Sequence, residues 1–237
     1  GEHQPGRIGQ GHAPHGQRRA PVEHELEGFA LVDHPGHGSQ RRNRWHTGLV
    51  STSPTYAAFA SDGHTARWTR VDGEGDETLT LAWENEAWTV SGMVSRERVQ
   101  YVLRLSPSWQ VRQFILFRDL DEPDLWLATD GGGRWGEVNG AHRVELDGCY
   151  DVHLPCTPFT RTLPIRRLPL HVGHTADITV ARIDVDTLDV SPEAQRYTRL
   201  DTHRWAVTDA ESGDVVEFEV DEHGLVLDEP QRFRRSL

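Results

Sequence analysis

Lysine is absent from this 237-residue chain, and all 25 of its basic residues are arginine. Genome base composition is the simpler cause, but the outcome is a set of cations suited to bidentate carboxylate or phosphate contacts. Cysteine is scarce too. Cys149 and Cys156 stand seven residues apart, roughly 23 Å if the stretch is extended, which is too far for a bridge. Two reduced thiols are expected, and they point to the cytoplasm. No apolar run reaches the length of a membrane span, and no signal-peptide core is visible, so no integral membrane contact is expected. A basic stripe is missing as well. The net charge is −12, nearly all of it after residue 50, which argues against a nucleic-acid partner.

Residues 1–50 lack any periodic apolar pattern while being rich in His, Gly and Arg. Such a stretch buries too little surface to offset its chain entropy, so a disordered leader is expected there. The "HPGH" at 34–37 has metal-like spacing, but structural zinc needs four convergent donors. No metal and no cofactor are expected.

After residue 65 the rhythm changes to period 2, the signature of half-buried strands. Leu79, Leu81 and Trp83 share a face, as do Trp88, Val90 and Val94, and then Val99, Tyr101, Leu103 and Leu105. In "WQVRQFILF" the alternation puts Trp109, Val111, Ile115 and Phe117 inward. Turn residues fall at 85–86, 106–108, 121–123, 130–133 and 139–140. "DGGGRW" lacks the Gly-Lys-Ser/Thr and the helix of a phosphate loop, so it reads as a hairpin. Further strands are expected in "ADITVARIDV", "QRYTRL", "HRWAV", "DVVEFEV" and "GLVLDE", with Glu217, Glu219 and Asp221 forming a solvated face. Short helical pieces are expected within 158–168 and at "SPEAQ", where Ser191 is positioned to cap. The fold class is all-β: a single antiparallel meander over 51–237, curved into a roll or open barrel, with no βαβ unit.

One segment breaks the rhythm. In "GCYDVHLPCTPFTRTLPIRRLPL", Pro155, Pro158, Pro164 and Pro169 bar a regular helix or central strand. Phe159, Leu163, Ile165, Leu168 and Leu170 nonetheless require burial. The segment must therefore lie on the sheet as a flap, with Arg166 and Arg167 emerging at its border. Near its start, Asp151 and His153 sit two apart on one strand face, a spacing that suits an acid/base pair or a hydrogen-bonded polar pair.

The same segment resembles the signature of the bacterial putative glycolipid-binding family, which runs approximately Gly-Cys-x-Asp-Val-Asp and then Thr-Pro-Phe-Thr-Asn-Thr-Leu-Pro-Ile-Arg-Arg-Leu. "LWLATDGGGRWGEVNG", "LDVSPEAQRYTRL", "EFEVDEHGLVLDEP" and "RFRR" agree in order, over about residues 65–235. The resemblance implies a spiral β-roll similar to bacterial lipoprotein carriers, with an apolar concavity for a small hydrophobic or glycolipid-like ligand. Trp88, Tyr101 and Phe117 would form its wall. The residues it places near such a ligand are Trp135, Asp151, His153, Phe159, Arg161, Arg166, Arg167 and Tyr197. Three positions depart from the pattern: His153 replaces Asp, Arg161 replaces Asn, and Glu229 replaces Tyr. Two other readings stand beside ligand binding, an enzyme using Asp151 and His153 and an interaction module whose flap is a closed plug.

Overall fold

The protein is described by a computed structural model covering residues 56–118 and 122–236. The expected disordered leader and its "HPGH" lie outside those residues. What is described is all-β, arranged as two sheets. The larger meanders through β1 (His64–Arg70), β2 (Asp76–Glu84), β3 (Ala87–Val94), β4 (Val99–Leu105), β5 (Val111–Phe117), β6 (Leu125–Thr129) and β7 (Trp135–Glu137). On its other side β14 (Phe233–Ser236) pairs with β1, and β13 (Asp228–Glu229) pairs with β14. The smaller sheet runs β12 (Val215–Glu219), β11 (Arg204–Asp209), β10 (Val190–Arg199), β9 (Thr175–Ile183) and β8 (Asp151–His153).

Turn chemistry sets the larger sheet. Asn85 and Glu86 both take positive φ, 51° and 59°, as a two-residue hairpin between right-twisted strands requires. Gly131 and Gly133, at φ 80° and 86°, turn "DGGG" into the hairpin between β6 and β7. One expected register fails. Leu105 pairs with Val111 but Arg104 with Gln113, so Arg112 is an extra, bulged residue and the faces exchange beyond it. Phe114 and Leu116 are therefore buried while Ile115 and Phe117 are half-buried, and Phe117 does not belong to the wall assigned to it.

"SPEAQ" is strand, the first half of β10, rather than helix. Pro192 lies where β9 flanks the strand and the ladder to β11 has not yet begun, a place that tolerates a missing N–H.

All pairings are antiparallel except β8 with β9. Parallel neighbours need a crossover, and the proline-rich flap supplies it. After β8 it forms a 3-10 turn (Phe159–Arg161) and then α1 (Thr162–Arg167), with Pro164 in the first turn, where its missing N–H costs nothing. The prolines conceal in the sequence what is in effect a short βαβ connection.

The flap joins two cores. Phe159 and Leu163 enter the larger cluster with Tyr101, Leu103 and Val152, while Ile165 enters a second one with Tyr197, Trp205 and Phe218. A buried polar clasp fixes its start. The Glu77 carboxylate accepts from Tyr101 Oη and from Thr157 Oγ1, both at 2.6 Å. Gly92 lies under the Tyr101 ring, where a Cβ would come within 2.2 Å of it, so only glycine lets the tyrosine reach Glu77. Both cysteines are free and buried, and burial pushes their thiols up, Cys149 to about 11.

Candidate functional site

Because β8 is extended, Asp151 and His153 project to one side, towards the flap and β10. Asp151 is 0% exposed. Arg167, on the last turn of α1, grips it with Nε at 3.1 and 3.2 Å from the two oxygens and Nη2 at 2.6 Å. Burial raises the Asp151 carboxyl, and Arg167 offsets part of the rise. His153 Nδ1 stands 3.0 Å from Glu193 Oε1. Burial lowers the imidazole pKa, and the same Nδ1 lies 3.1 Å from Gln195 Nε2. Burial also pushes the Glu193 carboxyl up, but His153, Gln195 and Arg182 outweigh it and bring it down to about 2. Asp151 and His153 thus answer to separate partners and do not form the acid/base pair their spacing suggested.

Arg161 comes from the 3-10 turn and is 7% exposed. It hydrogen-bonds Tyr197, whose hydroxyl burial raises to about 12 against the pull of Arg161, and its Nε lies 3.9 Å from Glu229 Oε2. Its Nη1 is buried with no hydrogen-bond partner among the described residues. Gln195, 2% exposed, is in a similar position. Its Nε2 donates to Glu193 Oε1, which fixes the amide and leaves Oε1 buried without a donor. Orphaned buried polar atoms are rare in native proteins and call for an explanation.

Two concavities open here, and Gln195 is among the residues lining both. A pocket of about 240 Å³ is lined by His153, Arg161, Arg182, Glu193 and Gln195, with Val207 and Val216 at its side. A groove of about 550 Å³ is lined by Tyr150, Ile178, Ala194 and Ala210 together with Arg167, Thr179 and the Asp177–Arg196 ion pair. Tyr150 offers an exposed ring to it.

Of the eight residues singled out in the sequence, five form this seam: Asp151, His153, Arg161, Arg167 and Tyr197. The other three do not. Trp135 is buried, with its indole N–H on the Cys149 carbonyl at 2.8 Å. Phe159 is core, its ring 6.5 Å from that of Tyr101. Arg166 turns away, over Trp109 at 4.2 Å and Phe59 at 4.9 Å, and burial lowers its pKa to about 10. It also reaches the carbonyls of Ala57 and His223, so it anchors the far end of the flap. Glu193 and Gln195 escaped notice because "SPEAQ" read as helix, which hides that two residues two apart share a face. Among the described residues no group of three or more His, Cys, Asp or Glu is placed to hold a metal, and no helix is long and apolar enough to cross a membrane.

The family model described as putative glycolipid-binding matches residues 65–235. The chain belongs to that family. A crystal structure of a DUF1089 family protein from Pseudomonas aeruginosa is similar at 29% identity, covering 77% of this chain and 98% of that one, with a TM-score of 0.55. No curated protein matches. The three positions that the sequence set apart from the resemblance, His153, Arg161 and Glu229, are all buried. Arg161 and Glu229 form an ion pair, and His153 is close enough to Arg161 for the guanidinium to lower its pKa.

Proposed function

We propose that this member of the glycolipid-binding family holds an amphiphile across the seam between β8, β9 and β10. The apolar part lies in the groove along Tyr150, Ile178, Ala194 and Ala210, and the head group enters the polar pocket beside Gln195. The supporting observation is that Gln195 is among the residues lining both concavities. An apolar-leaning trough opening onto a few convergent polar groups is the usual make-up of a ligand site. The wall first expected for the ligand, Trp88 and Tyr101, is packed within the core under the flap, which favours the seam over the interior of the roll. Asp151 and Arg167 act here as a rigid post beneath the groove.

Native mass spectrometry of the purified protein tests this. Lipid is expected to co-purify with the wild type and to be lost from Ala194→Trp, which fills the groove at an exposed position. Lipid retention by the tryptophan variant would refute the groove, and a wild type that takes no lipid from glycolipid-containing vesicles would refute amphiphile binding.

A further inference from the structure

The chain just before β1 is a short strap. Residues 56–59 lie against the 221–224 turn and reach Arg166 on α1. The Ala57 amide donates to the Glu222 carbonyl at 2.8 Å, and the Ala57 carbonyl accepts from Arg166 Nη1 at 3.3 Å. The Tyr56 hydroxyl accepts from the Trp205 indole at 2.7 Å. Its ring rests on Gly224, where a Cβ would come within 3.2 Å of it. Phe59 is the main anchor. Its buried ring stacks on His223 at 4.7 Å, lies 5.0 Å from His64, and packs against Trp88 and Trp109. A segment held by two rings and so few hydrogen bonds opens locally, well before the sheets do.

Cations crowd this spot. Arg166 stands over Phe59 at 4.9 Å, and the His64 and His223 rings are 5.2 Å apart. The acids nearby are Asp221 and Glu222. One Asp221 oxygen accepts from the His223 and Leu225 amides, each at 2.9 Å, and the other lies 3.8 Å from Arg235. Glu222 lies 3.8 Å from His223 Nε2. His64 has no such acid beside it among the described residues, and its Nε2 is buried with no hydrogen-bond partner there. A neutral imidazole tolerates this, since Nε2 can be its bare nitrogen. An imidazolium carries a proton on both nitrogens, and the one on Nε2 would go unsatisfied. Burial first, then His223 and Arg235, hold the His64 pKa below the usual range, against the pull of Asp221 and Glu222.

We infer that residues 56–59 form a pH-sensitive latch on the far end of the flap, closed while His64 is neutral and released when it is protonated, because lifting Phe59 lets water reach the imidazolium. The open form titrates as a free histidine, near 6.5, and the closed form lower. The latch is therefore fully held above that value and loosens as the pH falls through it. For one proton the opening equilibrium rises by at most about tenfold per pH unit. Opening takes the Ala57 carbonyl and the Phe59 ring away from Arg166, so the anchor at that end of α1 loosens as well.

Amide hydrogen exchange of the full chain, read by NMR, follows the latch at the Ala57 amide and the core at the β4 amides. Wild-type protection at Ala57, corrected for the intrinsic pH dependence of exchange, should fall about three- to tenfold between pH 7 and pH 5.5, while β4 stays protected. His64→Phe keeps a ring against Phe59 and has no proton to gain, so its Ala57 protection should be flat over the same range. His64→Gln, polar but untitratable, gives the same reading should the second phenylalanine not be accommodated. Phe59→Ala should lower Ala57 protection at every pH and abolish its pH dependence, since His64 is then already open to water. Flat protection in the wild type overturns the latch. An undiminished fall in both His64 variants overturns it too, because the titrating group would be another, such as His223. A parallel loss of protection in β4 overturns it as well, since that is acid unfolding of the whole roll.

Discussion

Glu77→Gln should remove a large pH dependence of stability. Glu77 is 2% exposed and receives hydrogen bonds from Tyr101 and Thr157. Burial dominates those two bonds and raises its pKa from 4.5 to about 7. A carboxyl with a raised folded-state pKa holds its proton in the native protein while the unfolded chain has already lost it. Its stabilising contribution is therefore complete below the unfolded value, near pH 4.5, and is lost as the pH rises through about 7. A shift of that size corresponds to about 3 kcal/mol, lost at up to ~1.4 kcal/mol per pH unit. The groups facing Glu77 are Tyr101, Thr157, Cys156, Glu97 and Arg235. The tyrosine and the thiol are both pushed up by burial and stay neutral across this range. Glutamine resembles the protonated acid, since its amide can donate to Thr157 while accepting from Tyr101. Urea unfolding followed by tryptophan fluorescence at pH 5, 6, 7 and 8 gives the comparison. Wild type should lose about 2.5 kcal/mol relative to Glu77→Gln between the ends, and the two curves should run parallel above pH 8. If they run parallel throughout, Glu77 is ionised in the native state and the burial argument fails.

Two more expectations concern the flap. Leu163 is fully buried in the larger core, so Leu163→Ala should cost about 2–5 kcal/mol, read from chemical denaturation; a cost under ~1 kcal/mol would show that the flap does not pin the sheets. Arg167→Ala strips the guanidinium from a carboxylate that is 0% exposed and should cost about 3–5 kcal/mol. Asp151→Asn in the same background should recover much of that loss, and no recovery would mean that Arg167 matters for packing rather than charge.

The alternation of "TLTLAWE" and "RVQYVLRL" announces half-buried strands because burial on one face is a local matter. The flap was legible for a related reason, since prolines and apolar residues in one stretch permit few solutions. Other features depend on distant partners. The bulge at Arg112 appears only once β5 is laid against β4, so the inward set inferred for "WQVRQFILF" failed beyond it. That β8 runs parallel to β9 is fixed by where the chain returns, which local periodicity does not encode. The same holds for the site. Asp151, His153, Arg161, Arg167 and Tyr197 drew attention as polar residues in or near an apolar segment. Arg166 and Arg167 look equivalent in the sequence, yet one end of α1 sends them to opposite tasks.

The pairing of β14 with β1 has a consequence for synthesis. Arg67 lies opposite Ser236 and Arg70 opposite Phe233, and the Trp68 indole donates to the Val226 carbonyl across 158 residues. A chain emerging from the ribosome can zip β1 to β7 as successive hairpins, each closing a short loop cheaply. Yet one side of β1 stays open until residues 233–236 have been made. Through that interval the nascent protein exposes a seven-residue edge, a template for wrong partners. A pause anywhere between β1 and residues 233–236 would prolong that exposure, so misassembly should rise with the time taken to make the intervening chain.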